Sequence, residues 1–172
     1  MSNDAMARRP GIGHFRSVLA AVLTACKEHY GTRLVSVAAF GSVGRGTPRP
    51  DSDVDLLIVT EGLPPGRIAR VADFRAAEDA VVRVLAEAEA GEIRPFLSPV
   101  FKAQAEVQHG SPLFLDMIED VQLLHDRDDF LRRTLDRLRT RLEELGARRI
   151  WRGSAWYWDL EPDYRPGEIF EL

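Results

Sequence analysis

The sequence predicts a mixed α+β fold, a β-sheet flanked by helices. Three observations carry that expectation. Two short apolar runs, Leu34 to Phe40 and Val54 to Val59, read as buried strands on either side of a loop rich in glycine and proline. Segments with apolar residues at three- and four-residue spacing surround them and read as helices. Strand and helix alternate irregularly, and the next strand carries two prolines, which disfavours a doubly wound parallel sheet.

In chain order, residues 1–11 are polar, contain a Pro-Gly pair and read as a flexible tail. Phe15, Val18, Leu19, Val22, Leu23 and Cys26 form one face of a helix over 12–30, which Gly31 stops. After the first strand, residues 41–51 hold three glycines and two prolines and form a loop. A Gly-Leu-Pro-Pro-Gly break at 62–66 precedes a long helix over 67–90, with Ile68, Val71, Phe74, Val81, Val82 and Leu85 as its expected inner stripe. Ile93 to Phe101 is the proline-bearing strand, placed by Pro95 and Pro99 at an edge or bulge. Short helices over 102–108 and 112–120 and a short strand over 121–124 follow. A helix over 127–145 has Phe130, Leu131, Leu135, Leu138, Leu142 and Leu145 on one side. All three tryptophans lie beyond residue 147.

The 172 residues suffice for a core without staples, and a composition of 45% hydrophobic and 29% charged residues excludes a disordered or fibrous chain. A net charge of −4 argues against a nucleic-acid binder driven by a basic surface. Cys26 is the only cysteine and sits among apolar residues, so a buried, inert thiol is expected and no disulfide. No apolar segment is long enough for a membrane span and no signal peptide is evident, so a cytoplasmic protein is expected.

The chemistry is concentrated in Phe40-Gly41-Ser42-Val43-Gly44-Arg45-Gly46-Thr47-Pro48-Arg49-Pro50-Asp51-Ser52-Asp53-Val54-Asp55. Gly41 allows a tight turn and a close backbone approach. Ser42 offers a hydroxyl and an amide at the start of a helical turn, a natural phosphate site. Ten residues later Asp53 and Asp55 open the second strand; two apart, they project from one face about 7 Å apart. Two like charges so close call for a cation, and hard carboxylate oxygens suit magnesium, which also takes substrate phosphate oxygens. Arg45 is a further candidate phosphate contact, while Asp51 and Ser52 shape the turn.

Gly-Ser, ten residues, then Asp-x-Asp resembles the nucleotidyltransferase superfamily of DNA polymerase β type. Gly44-Arg45-Gly46 and the apolar Leu56 to Val59 agree with it. The resemblance implies that Gly41 and Ser42 bind a nucleoside triphosphate and that Asp53 and Asp55 are catalytic and hold Mg2+. The family normally adds a third carboxylate from the next strand; that stretch here contains no aspartate, and Glu92 at its start is the nearby acid. Glu92 is therefore the candidate third catalytic carboxylate, and its bland alternative is an exposed residue after a helix stop.

The ending Trp-Asp-Leu-x-Pro-Asp-Tyr-x-Pro-Gly-Glu is similar to that of stand-alone prokaryotic nucleotidyltransferase-domain proteins. Small members of this superfamily resemble the MNT-type antitoxins. That resemblance implies transfer of AMP from ATP to a hydroxyl of a helical HEPN-type toxin. A catalytically degenerate nucleotide-binding or partner-neutralising module is the alternative, followed by an antibiotic- or RNA-end-modifying enzyme. The expected organisation is a nucleotidyltransferase core over 12–126, with a C-terminal helix and an aromatic tail over 127–172 packed on it. The dense aromatics of the tail suit packing or a protein interface. Homo-oligomerisation is left open.

Overall fold

The computed structural model describes residues 12–87, 96–153 and 155–162. Helix α1 (Ile12–Tyr30) leads through a 3-10 turn, with Gly31 at φ 54°, into strand β1 (Leu34–Phe40). One helical turn, α2 (Gly41–Gly44), and a loop connect it to β2 (Val54–Thr60). The long helix α3 (Arg67–Glu87) is followed by β3 (Leu97–Lys102), α4 (Gln104–Gln108), α5 (Leu113–Asp120) and β4 (Gln122–Asp126). A 3-10 turn enters α6 (Phe130–Glu144), and β5 (Arg148–Arg152) and β6 (Ala155–Asp159) follow. The expected tail over 1–11 lies outside the described residues, as do 88–95.

The main sheet has the order β3-β2-β1-β4. β1 pairs antiparallel with β2 and β4, whereas β2 pairs parallel with β3. The sheet is thus mixed, and β3 takes the edge position that Pro99 suits, with Pro99 opposite Leu56; Pro95 lies outside the described residues. Both central strands are buried on both faces, which is why they read as continuous apolar runs. On one face, Val37, Ala39, Leu56 and Ile58 pack with Val18 and Val22 of α1 and Phe74 and Val81 of α3. On the other, Val35, Ala38, Leu57 and Val59 pack with Val107, Phe114, Met117, Leu131 and Leu135. Cys26 is buried in the first cluster, and burial pushes its thiol up to about 12.

The inner stripe of α3 differs from the expected one. Phe74, Ala77 and Val81 are buried and Leu85 packs against the core, but Ile68, Val71 and Val82 are exposed, Ile68 to 87%. At about 100° per residue, Val82 lies roughly a quarter-turn from Val81, which takes it off the face formed by Phe74, Ala77 and Val81. The leucine face of α6 is as expected, with Leu131, Leu135 and Leu142 buried. The Asp126 carboxylate starts that helix by accepting from the amides of Leu131 and Arg132, both at 2.9 Å, while the Ser36 hydroxyl donates to it at 2.7 Å. The segment after 147, read only as an aromatic tail, is an antiparallel hairpin in which Arg149 faces Trp158 and Trp151 faces Trp156.

Candidate active site

β1 ends at Phe40, and the chain turns at Gly41, which has φ 64°. The single turn of α2 is closed by amides donating to carbonyls: Arg45 to Gly41 (3.0 Å), Gly46 to Val43 (3.0 Å) and Thr47 to Ser42 (2.9 Å). The first amides of so short a helix have no acceptor four residues back within it. The return loop is tied off just before the aspartates. The Arg49 amide donates to Ser52 Oγ at 2.8 Å and the Ser52 amide to the Arg49 carbonyl at 3.0 Å. Ser52 therefore shapes the turn, and Asp51 is exposed.

Asp55 is where the elements converge. It lies opposite Phe40 in the β1–β2 pairing and opposite Ser98 in the β2–β3 pairing. A Cβ added to Gly41 would stand 2.4 Å from Asp55 Oδ2 and 3.3 Å from its Cγ, so only glycine admits that carboxylate against the turn. Burial holds the half-buried Asp55 carboxyl above its ordinary range. The Ser98 hydroxyl directed at it and the Arg45 charge pull the other way, and the neighbouring Asp53 charge adds to the rise. Asp53 itself is exposed. The structure thus brings Gly41, Asp53, Asp55 and Arg45 together, with Ser42 on the adjoining turn.

The turn is also fixed from behind. A Cβ on Gly44 would lie 2.1 Å from the Asp120 carbonyl oxygen and 2.9 Å from that of Ala39, so α2 is wedged against the end of α5. From there the Asp120 carboxylate accepts from Arg45 Nη1 at 3.1 Å. These contacts assign purposes to two residues of the Gly-Arg-Gly run that the sequence left general.

The donor set suits one hard divalent cation. Asp53 and Asp55 stand two residues apart at the start of β2, and burial first and the Asp53 charge second hold the Asp55 carboxyl above its ordinary range, a cost of ionisation that a bound cation would offset. A magnesium ion takes one or two protein carboxylates and fills its remaining positions from water and phosphate. Among the described residues no group of three or more His, Cys, Asp and Glu side chains is gathered as a metal cluster. Glu92, the candidate third carboxylate, lies outside the described residues. Within them, the position beside Asp55 on the next strand belongs to Ser98. Ser98 is not among the residues singled out from the sequence, because its hydroxyl does not match the carboxylate that the family pattern supplies there.

A separate open groove along α6, lined by residues including Phe130, Arg133 and Arg137, shares no residue with this site. No helix among the described residues is long and apolar enough to cross a membrane.

The nucleotidyltransferase domain profile matches residues 19–108. A Methanocaldococcus jannaschii protein named as a candidate protein adenylyltransferase is 30% identical over 129 residues, covering 75% of this chain and 84% of that one. A solved toxin–antitoxin structure with AMP-PNP superimposes with a TM-score of 0.47 at 14% identity, over 74% of this chain and 92% of that one. A tri-AMPylated Shewanella oneidensis HEPN toxin in complex with MNT antitoxin gives 0.43 at 11% identity, over 76% and 92%. The profile match spans the turn, both aspartates and all of β1 to β3, and this chain belongs to the nucleotidyltransferase domain family.

Proposed function

We propose that this nucleotidyltransferase moves AMP from ATP, with Mg2+, to a hydroxyl group of a partner protein, and that the partner is a helical HEPN-type toxin. The observation that carries the chemistry is the approach of the Asp55 carboxylate to Gly41, which joins a phosphate-binding turn to a metal-binding carboxylate pair. The choice of a protein as acceptor is supported by the name of the Methanocaldococcus jannaschii relative. The choice of toxin rests on the resemblance of this chain to small stand-alone members of the superfamily, which are similar to MNT-type antitoxins.

In this reading the amides of Ser42 and Val43 and the Ser42 hydroxyl donate to triphosphate oxygens. Arg45 has five donors and commits one of them to Asp120, leaving others for phosphate. Asp53 and Asp55 hold the magnesium, which when bound offsets charge on the α-phosphate and leaving group. The acceptor oxygen attacks the α-phosphorus, the bond to the bridging oxygen breaks, and pyrophosphate leaves. The acceptor proton passes to a base in the site, and the described candidates are the two aspartates.

The test is label transfer from α-labelled ATP, with magnesium, to a helical HEPN-type protein, if the neighbouring reading frame encodes one. Transfer that disappears in Asp53→Asn and Asp55→Asn supports the proposal; no transfer with the wild type opposes it. One observation favours a second reading. Ser98 beside Asp55 leaves the described site with two carboxylates, which suits a module that neutralises its partner by contact. Undiminished neutralisation by the Asp53→Asn, Asp55→Asn double variant would select that reading.

A further inference from the structure

We propose that the C-terminal hairpin is part of the nucleotide-binding apparatus: Asp120 positions Arg45 of the phosphate turn, and Arg149, gripped by the hairpin tryptophans, positions Asp120. The Asp120 side chain is only 12% exposed and sits between two arginines, Arg45 Nη1 at 3.1 Å and Arg149 Nη2 at 3.4 Å. A carboxylate so withdrawn from water needs its cations, so neither arginine is an optional surface partner. Arg149 is itself 14% exposed and also bonds Glu119 at 2.6 Å.

What holds Arg149 is aromatic. Its guanidinium lies 4.0 Å from the Trp156 ring centroid and 5.1 Å from that of Trp151, and these two tryptophans face each other across the hairpin. A flat, delocalised cation stacked in this way is fixed in direction as well as place, which an ammonium would not be. The backbone supplies a second, independent tie, because Gly44 abuts the Asp120 carbonyl oxygen. Asp116, one turn earlier on α5, lies within electrostatic reach of both Arg45 and Arg149. The acidic end of α5 therefore joins the phosphate turn to the hairpin. Hairpin, Arg149, Asp120 and Arg45 form one chain of contacts that ends at the candidate phosphate site.

The consequence for nucleotide rests on the function proposed above; the mechanical link does not. Hydrogen exchange of the amides over 42–47 in the nucleotide-free, full-length protein tests the link. Asp120→Asn and Trp156→Ala are expected to speed that exchange several-fold. Arg152→Ala, whose guanidinium faces the Tyr157 ring instead, is expected to leave it unchanged. If Trp156→Ala unfolds the hairpin, Arg149→Lys gives the same comparison with the charge kept. Wild-type exchange in Asp120→Asn would overturn the proposal.

ATP with magnesium then tests positioning. Calorimetric affinity should fall several-fold in Asp120→Asn, with KM rising more than kcat falls. All three tryptophans lie in the hairpin, so their emission should respond to ATP in the wild type and not in Asp120→Asn. A silent wild-type emission despite calorimetric binding, or undiminished affinity in Asp120→Asn, would overturn the positioning role. Exchange that rises as expected in a protein that binds no ATP would retain the link and refute the proposed function instead.

Discussion

Gly41→Ala separates the backbone requirement of the turn from the approach of Asp55. At φ 64° an L-residue costs about 1–2 kcal/mol relative to glycine. The new methyl would also lie 2.4 Å from Asp55 Oδ2, about 0.9 Å inside a normal carbon–oxygen contact of roughly 3.3 Å. Because Asp55 Cγ is only 3.3 Å away, the whole carboxylate must turn off its rotamer, adding about 0.5–1.5 kcal/mol. The sum is about 1.5–3.5 kcal/mol, which lowers the melting midpoint of a chain this long by about 3–14 °C. Gly46→Ala is the control: its φ is 73°, but nothing lies within 4 Å of an added Cβ, so only the backbone cost of about 1–2 kcal/mol applies.

The assay is thermal unfolding with and without magnesium and ATP, in the wild-type and Asp55→Ala backgrounds. Removing the carboxylate should shrink the cost of Gly41→Ala by the clash, about 0.5–1.5 kcal/mol, and leave that of Gly46→Ala unchanged. Gly41→Ala should also lose stabilisation by magnesium-ATP while Gly46→Ala keeps it. Equal costs of Gly41→Ala in both backgrounds, with ligand stabilisation retained, would refute the claim that Asp55 dictates this glycine.

Three further outcomes follow from the same geometry. Asp55 has a raised folded-state pKa, so the ligand-free protein loses stability as pH rises through that value; Asp55→Asn should flatten this pH dependence, raise the ligand-free melting midpoint at neutral pH and abolish nucleotide transfer. Ser98→Asp places a third carboxylate beside Asp55; it should lower metal-free stability and raise Mn2+ affinity by about tenfold in calorimetry, and an unchanged affinity would place Ser98 outside the metal site. Arg70 bonds Glu106 through two nitrogens at 2.8 and 3.0 Å and also the Pro64 and Phe101 carbonyls, so Arg70→Ala should cost about 2–3 kcal/mol in urea unfolding. The Glu106 share of that cost, discounted to about 1 kcal/mol because its side chain is 41% exposed, is present above the ordinary carboxylate range. It is lost as pH falls through the lowered Glu106 pKa, so the wild-type advantage should narrow in acid.

The sequence made some of this legible and hid the rest for identifiable reasons. β1 and β2 are central strands buried on both faces, so Leu34 to Phe40 and Val54 to Val59 announced themselves as apolar runs. The pairing that brings Phe40 opposite Asp55 is less legible, because the connection over 41–53, with a helical turn in it, is too long to dictate a register. The α3 stripe is harder to read, because the buried Ala77 carries little weight in an apolar pattern while the exposed Ile68, Val71 and Val82 carry much. The hairpin did leave a signal, with Arg149 and Trp151 before Gly153, and Trp156 and Trp158 after it, each pair at strand spacing.

Ser98 shows why local pattern could not finish the site. Alternation along β3 reveals which residues share a face, but not how far the strand slides along its neighbour. An antiparallel pair joined by a short loop inherits its register from that loop. β2 and β3 are parallel, with the whole of α3 between them, so no local feature of the sequence ties Asp55 to a particular residue of β3. The position beside Asp55 is set instead by the packing of Leu97 and Phe101 with Phe74 of α3 in the core. The residue completing a site assembled across a parallel crossover is fixed by tertiary packing, and its chemical type is best read after the register, not before it.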